Sequence, residues 1–77
     1  MRIFKTDSKL PYYIQIETTF EEYENLVVWI KENVPTIDRF TPDWNPRRQH
    51  DTQKLRFRFR HEEHAMAFKL ILSWSVR

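Results

Sequence analysis

The chain has no glycine and no cysteine. Without cysteine there is no disulfide, iron–sulfur cluster or thiolate zinc site to staple a small domain. Average glycine usage is about 7%. Its absence excludes phosphate-cradling loops and dinucleotide fingerprints, which need glycine where backbone closes on phosphate. Helix ends and turns must instead use Asn, Asp and Pro. Long apolar runs are missing too. The longest, Leu26-Val27-Val28-Trp29-Ile30, is far short of a membrane span, and Met1-Arg2-Ile3-Phe4-Lys5 has no secretory apolar core. The expectation is a soluble, cytoplasmic protein, complete as written, with no membrane partner.

The 77 residues suffice for a single domain, 1–77. At this size the core is worth about 3–5 kcal/mol net, near the lower limit of independent stability. The net charge of +2 is unevenly placed. Residues 1–38 carry four Lys/Arg against seven Asp/Glu, and residues 39–77 carry nine against four. The whole surplus falls in 39–60, a moderate asymmetry well short of a nucleic-acid-binding tail.

Tyr12-Tyr13-Ile14-Gln15-Ile16-Glu17 alternates with aromatic and β-branched residues and predicts a strand, with Ile3 and Phe4 as a short strand before it. Thr18 with Glu21, or Thr19 with Glu22, is a capping-box pattern that opens a helix from Phe20 to Asn33. Phe20, Tyr23, Val27, Ile30 and Val34 recur at steps of three and four as its core stripe, and Pro35 ends it. Asp38–Trp44 predicts an edge strand, because Pro42 cannot donate to a ladder. A polar basic loop follows over 45–53, then a strand over Lys54–Arg60 and a helix over His61–Ser73. The order β-α-β-β-α predicts an α+β, two-layer sandwich of the ferredoxin-like, split βαβ kind. Its last strand is missing, or vestigial at Ser75-Val76-Arg77.

Residues 54–60 invite comparison with RNA-recognition motifs, which stack bases on aromatics of a central strand. Phase decides against that for the two phenylalanines. Leu55, Phe57 and Phe59 share one face, and Lys54, Arg56, Arg58 and Arg60 the other. Burying the apolar triple contributes roughly 1.5–3 kcal/mol per side chain, whereas burying the arginines is prohibitive without partners. The phenylalanines are therefore expected in the core. The open face is expected to be basic, without a stacking platform, and within reach of Tyr13, Gln15 and Glu17. One expectation is a solvated face on which Glu17 neutralises one arginine. The alternative expectation is that Arg47, Arg48, Lys54, Arg56, Arg58 and Arg60 form an anion-binding surface for nucleic acid or an acidic protein partner.

The last helix has more apolar surface than a two-layer domain can cover. Ala65, Phe68, Ile71 and Leu72 cluster on one side, and Met66, Ala67, Leu70 and Trp74 nearly opposite. Trp29 on the first helix also falls well off its core stripe. Either the N-terminal segment or the 45–53 loop packs over the second stripe, or another chain does. Trp, Met and Arg are enriched at interfaces, so Met66, Leu70, Trp74 and Trp29 are the expected protein interface.

Catalytic patterns are weak. His61 and His64 at i and i+3, with Glu62, Glu63, His50 and Asp51 nearby, fall short of a zinc-peptidase arrangement and suit a charged first helical turn. Ser8, Ser73 and Ser75 lack a base-and-orienter pattern. Neither an enzyme nor a cofactor, metal or small-molecule substrate is expected.

Leu55-Arg56-Phe57-Arg58-Phe59-Arg60, followed by Glu62-Glu63-His64-Ala65-Met66-Ala67-Phe68-Lys69-Leu70, resembles the end of short uncharacterised proteins of tailed phages. The resemblance covers about twenty residues and carries no activity. It implies action in the cytoplasm of an infected bacterial cell, by binding a host or viral protein. The functional expectation is a small non-catalytic interaction protein that binds a protein partner, or a second copy of itself, through the last helix. The alternative is a nucleic-acid-binding protein using the basic strand face and the 45–53 loop.

Overall fold

β2 (Tyr12–Thr18) and β4 (Gln53–Phe59) are the two long strands, and along each of them alternate residues are buried. Ile14 and Ile16 of β2 and Leu55, Phe57 and Phe59 of β4 point into one core, as their spacing predicts. The computed structural model describes residues 2–48 and 51–75, with backbone alone for Arg48, Trp74 and Ser75. Within those residues lie two short strands, β1 (Phe4–Lys5) and β3 (Arg39–Phe40), and two helices, α1 (Phe20–Asn33) and α2 (Glu62–Ser75). The fold is α+β. The sheet runs β1-β2-β4-β3, antiparallel throughout. β2 and β3 both oppose β4, so they run parallel to each other with α1 as their crossover. Neither helix is long and apolar enough to cross a membrane.

Three local expectations need correction. Ser75 ends α2 rather than starting a strand, since no proline or glycine follows Pro46 to stop the helix. Residues 76–77 lie outside the described residues. The open edge of β2 is filled instead from the N-terminus by β1, so the order begins with two strands. The strand expected over 38–44 shrinks to Arg39–Phe40. Asp38 belongs to a 3-10 turn, Thr36–Asp38, and the Pro42 carbonyl accepts from the Tyr23 hydroxyl at 2.7 Å, drawing the chain off the sheet toward α1.

α1 keeps its expected limits. Thr19 caps it by accepting from the Glu22 N–H, while the Glu22 carboxylate accepts from the Thr18 hydroxyl at 2.7 Å. At the other end the Val34 N–H donates to the Ile30 carbonyl, and Val34 and Pro35 are both extended. Among the described residues none has positive φ. A chain without glycine thus stops its helix with extended residues rather than a left-handed cap. The core stripe is rotated from the expected one: Leu26 is buried with Ile30 and Val34, and Val27 only partly. That rotation brings Trp29 toward α2, where its ring lies 6.1 Å from Phe68. Trp29 is therefore partly buried in the protein's own core, not a free anchor for a partner.

Both helices pack on one face of the sheet, α1 through Leu26, Ile30 and Val34 and α2 through Ala65, Phe68 and Leu72. Phe68 is fully buried, with ring centroids 4.9 Å from Phe57 and 5.3 Å from Phe59. A second aromatic group, Phe20, Tyr23 and Trp44, holds the segment after β3 against α1.

Phe68→Ala is expected to cost about 3–5 kcal/mol, comparable to the whole stability of so small a domain, and to abolish the cooperative thermal transition. Tyr23→Phe is expected to cost about 0.5–1.5 kcal/mol at neutral pH. Burial, and then the charge of Asp43, raise the Tyr23 pKa above its ordinary 10.0, against a lowering backbone hydrogen bond at Trp44. Its stabilisation is whole below the ordinary tyrosine value and is lost as pH rises through the raised one. Urea denaturation at increasing alkaline pH should show this loss in the wild type and less of it in Tyr23→Phe.

Candidate functional site

The candidate residues fall on two surfaces, one on the open side of the sheet and one on the outer side of α2. On the sheet, strand register places Phe4 beside Tyr13, Tyr13 beside Arg58 and Arg58 beside Phe40. Directly paired residues share a face, so this row crosses all four strands. The next pairs, Gln15 with Arg56 and Glu17 with Lys54, continue the same face along β2 and β4. The Phe4 and Tyr13 rings stack 5.0 Å apart at 14°. Arg2 lies over Phe4 at 5.3 Å and Arg56 over Tyr13 at 4.5 Å. The face is basic, as expected, but it is not without aromatics.

The six candidate cations divide by partner. Arg56 is exposed, with Nη2 donating to Gln15 Oε1 at 3.3 Å. Lys54 is exposed opposite Glu17, whose Oε1 accepts from the Thr52 hydroxyl at 3.0 Å. Arg58 is half-buried. Its Nη1 lies 3.3 Å from Thr6 Oγ1 and 3.4 Å from both Ser8 Oγ and the Leu10 carbonyl oxygen, so it braces the β1–β2 turn. Arg60 lies beyond β4, its N–H donating to the Asp38 carbonyl at 2.8 Å and its Nη1 3.9 Å from Asp38 Oδ1. Arg47 is exposed in the 3-10 turn Pro46–Arg48, and the Arg48 side chain lies outside the described residues. The loop base is closed by Gln53, whose amide donates to the Asn45 carbonyl and accepts from the Asn45 N–H. Lys54, Arg56 and Arg58 therefore share the face, while Arg60 is drawn to Asp38.

On α2 the two stripes part as the periodicity predicts. Ala65, Phe68 and Leu72 are buried, whereas Met66 and Leu70 are 57% and 56% exposed. With Ile3, Glu62, Lys69 and Ser73 they line a shallow groove of about 520 Å³. The N-terminal segment reaches this surface at Ile3 without covering it. The Trp74 side chain lies outside the described residues, and Trp29 belongs to the helix–helix seam.

His61 and His64 have ring centroids 5.5 Å apart, and His61 Nε2 lies 3.8 Å from Asp38 Oδ1. Among the described residues no group of three or more His, Cys, Asp or Glu is placed to hold a metal ion, and His50 lies outside them. Phe4 and Phe40 were not foreseen as surface residues. Ile3-Phe4-Lys5 alternates weakly, and only pairing with Tyr13 puts Phe4 on the open face.

The division among the arginines predicts different stability effects. Arg58→Ala should destabilise by about 1 kcal/mol through the loss of the turn brace. Arg56→Ala should stay within about 0.5 kcal/mol, as exposed substitutions usually do. Equal losses for the two in urea denaturation would contradict the assignment. Comparison with protein-family models, with curated proteins and with solved structures gives no match.

Proposed function

We propose that this chain is a small non-catalytic binding protein that self-associates through the outer face of α2. The observation that carries the reading is the exposure of Met66 and Leu70, one helical turn apart on a stripe that the described residues leave uncovered. Fully burying a Met or Leu side chain contributes about 1.5–3 kcal/mol relative to exposure, and more than half of each remains exposed here. A two-fold contact pairs the same patch from both copies, so each buried residue counts twice. That multiplication suits a patch this short and a domain this small. The phage resemblance of the 55–70 segment supports a binding role, with a host or viral protein as the alternative occupant.

The topology behind this reading is ferredoxin-like in our proposal. β2, α1, β3, β4 and α2 supply the split βαβ order, with β1 standing where the final strand would pair. Parallel β2 and β3 on either side of β4 support it. In such a domain the outer side of α2 and the open side of the sheet point away from each other, leaving both free to act.

Sedimentation over a wide concentration range tests the proposal. The wild-type mass is expected to rise from one chain to two, and Leu70→Glu and Met66→Glu to remain at one chain with unchanged circular dichroism. A wild type that stays at one chain throughout, or a Leu70→Glu variant that pairs as the wild type does, would overturn it.

A further inference from the structure

We infer that the open sheet face binds single-stranded nucleic acid, with Phe4, Tyr13 and Phe40 stacking against bases and Arg2, Lys54 and Arg56 meeting phosphates. The row Phe4–Tyr13–Arg58–Phe40 spans three interstrand spacings, roughly 14 Å. Four-stranded sheets that read RNA stack about two or three bases over such a width. Phe40 is 50% exposed at one edge of the row, and Phe4 at the other is 37% exposed between Tyr13 and Arg2. Arg2 lies over Phe4, and Arg56 and Arg58 both lie over Tyr13, at 4.5 and 5.2 Å. A phosphate drawing Arg2 away frees a face of Phe4 for a base, and one drawing Arg56 away widens the exposed part of Tyr13 beside Arg58, exchanging a cation–π contact for base stacking and a charge-assisted hydrogen bond. Arg58 stays on the β1–β2 turn and contributes charge without moving.

Charge and shape together select this occupant. Among the described residues, Arg2, Lys54, Arg56 and Arg58 on this face outnumber Glu17, which favours a polyanion. An acidic protein would satisfy the cations but leave the aromatic row unmatched. A duplex keeps its bases stacked within itself and offers this face phosphates alone, which few cations can hold at physiological salt. A single strand offers both partners at once. The inference is independent of self-association, because Met66 and Leu70 lie on α2, across the core from this face.

Fluorescence anisotropy with labelled oligothymidine and oligouridine, and with a duplex of equal length, provides the test on the full chain. The wild type is expected to bind the single strands more tightly than the duplex and to weaken as salt rises. Tyr13→Ala and Phe40→Ala are each expected to weaken binding roughly tenfold, and Arg56→Glu at least as much. Phe40 is exposed on a short edge strand, so its variant serves even where Tyr13→Ala disturbs folding. Leu70→Glu should bind as the wild type does. No binding at low salt, or equal or tighter binding of the duplex, would overturn the inference. So would binding that Arg56→Glu abolishes while both ring variants leave it unchanged, or capture of polyglutamate with the oligonucleotides left free.

Discussion

The ring of Phe68 is the contact on which the rest of this structure depends. It meets Phe57 and Phe59 of the central strand and Trp29 of the opposite helix, and so joins sheet, α1 and α2 in one cluster. A two-layer domain has one interior, and four large rings occupy much of it. Once Phe57 and Phe59 point toward α2, strand alternation sends Lys54, Arg56 and Arg58 to the far side. Once Phe68 and Leu72 point toward the sheet, helical periodicity sends Met66 and Leu70 outward. Both exposed surfaces are consequences of how one small core is filled.

The absence of glycine shapes what surrounds that core. Turns that glycine commonly closes through positive φ are here held by side chains. Arg58 reaches the β1–β2 turn, Gln53 clasps the Asn45 backbone, and Asp38 lies between the two ends of the sheet edge and the start of α2. Part of the basic surplus is therefore structural. Arg58 and Arg60 have intramolecular partners, and the freely presented charge on the sheet is smaller than the count of residues 54–60 implies.

Aromatic residues divide along the same line. Phe57, Phe59 and Phe68 are core, and Phe20, Tyr23 and Trp44 pin an irregular segment to α1. Phe4, Tyr13 and Phe40 are left on the open face among arginines. Rings and guanidinium groups together make a different surface from either alone, because both can face the same polyanion, one through its bases and the other through its phosphates.

Much of this was legible in the order of residues. Period-two alternation identified β2 and β4 and which of their residues are buried, because a strand beside one layer of helices must send its apolar side inward. The Thr19–Glu22 cap and Pro35 bounded α1, and the periodicity of α2 separated Phe68 from Met66 and Leu70. These signals are local, carried by neighbours within a turn or a pleat. The rotation of α1 toward Leu26 and Trp29 was decided by the seam with α2, where Phe68 offers a ring to pack against. The position of β1 at the edge of β2, and with it the row from Phe4 to Phe40, was decided by strand pairing between distant segments. Alternation states which side of its own strand a residue occupies, but only register states which residues of other strands stand beside it, and that is a property of the assembled sheet.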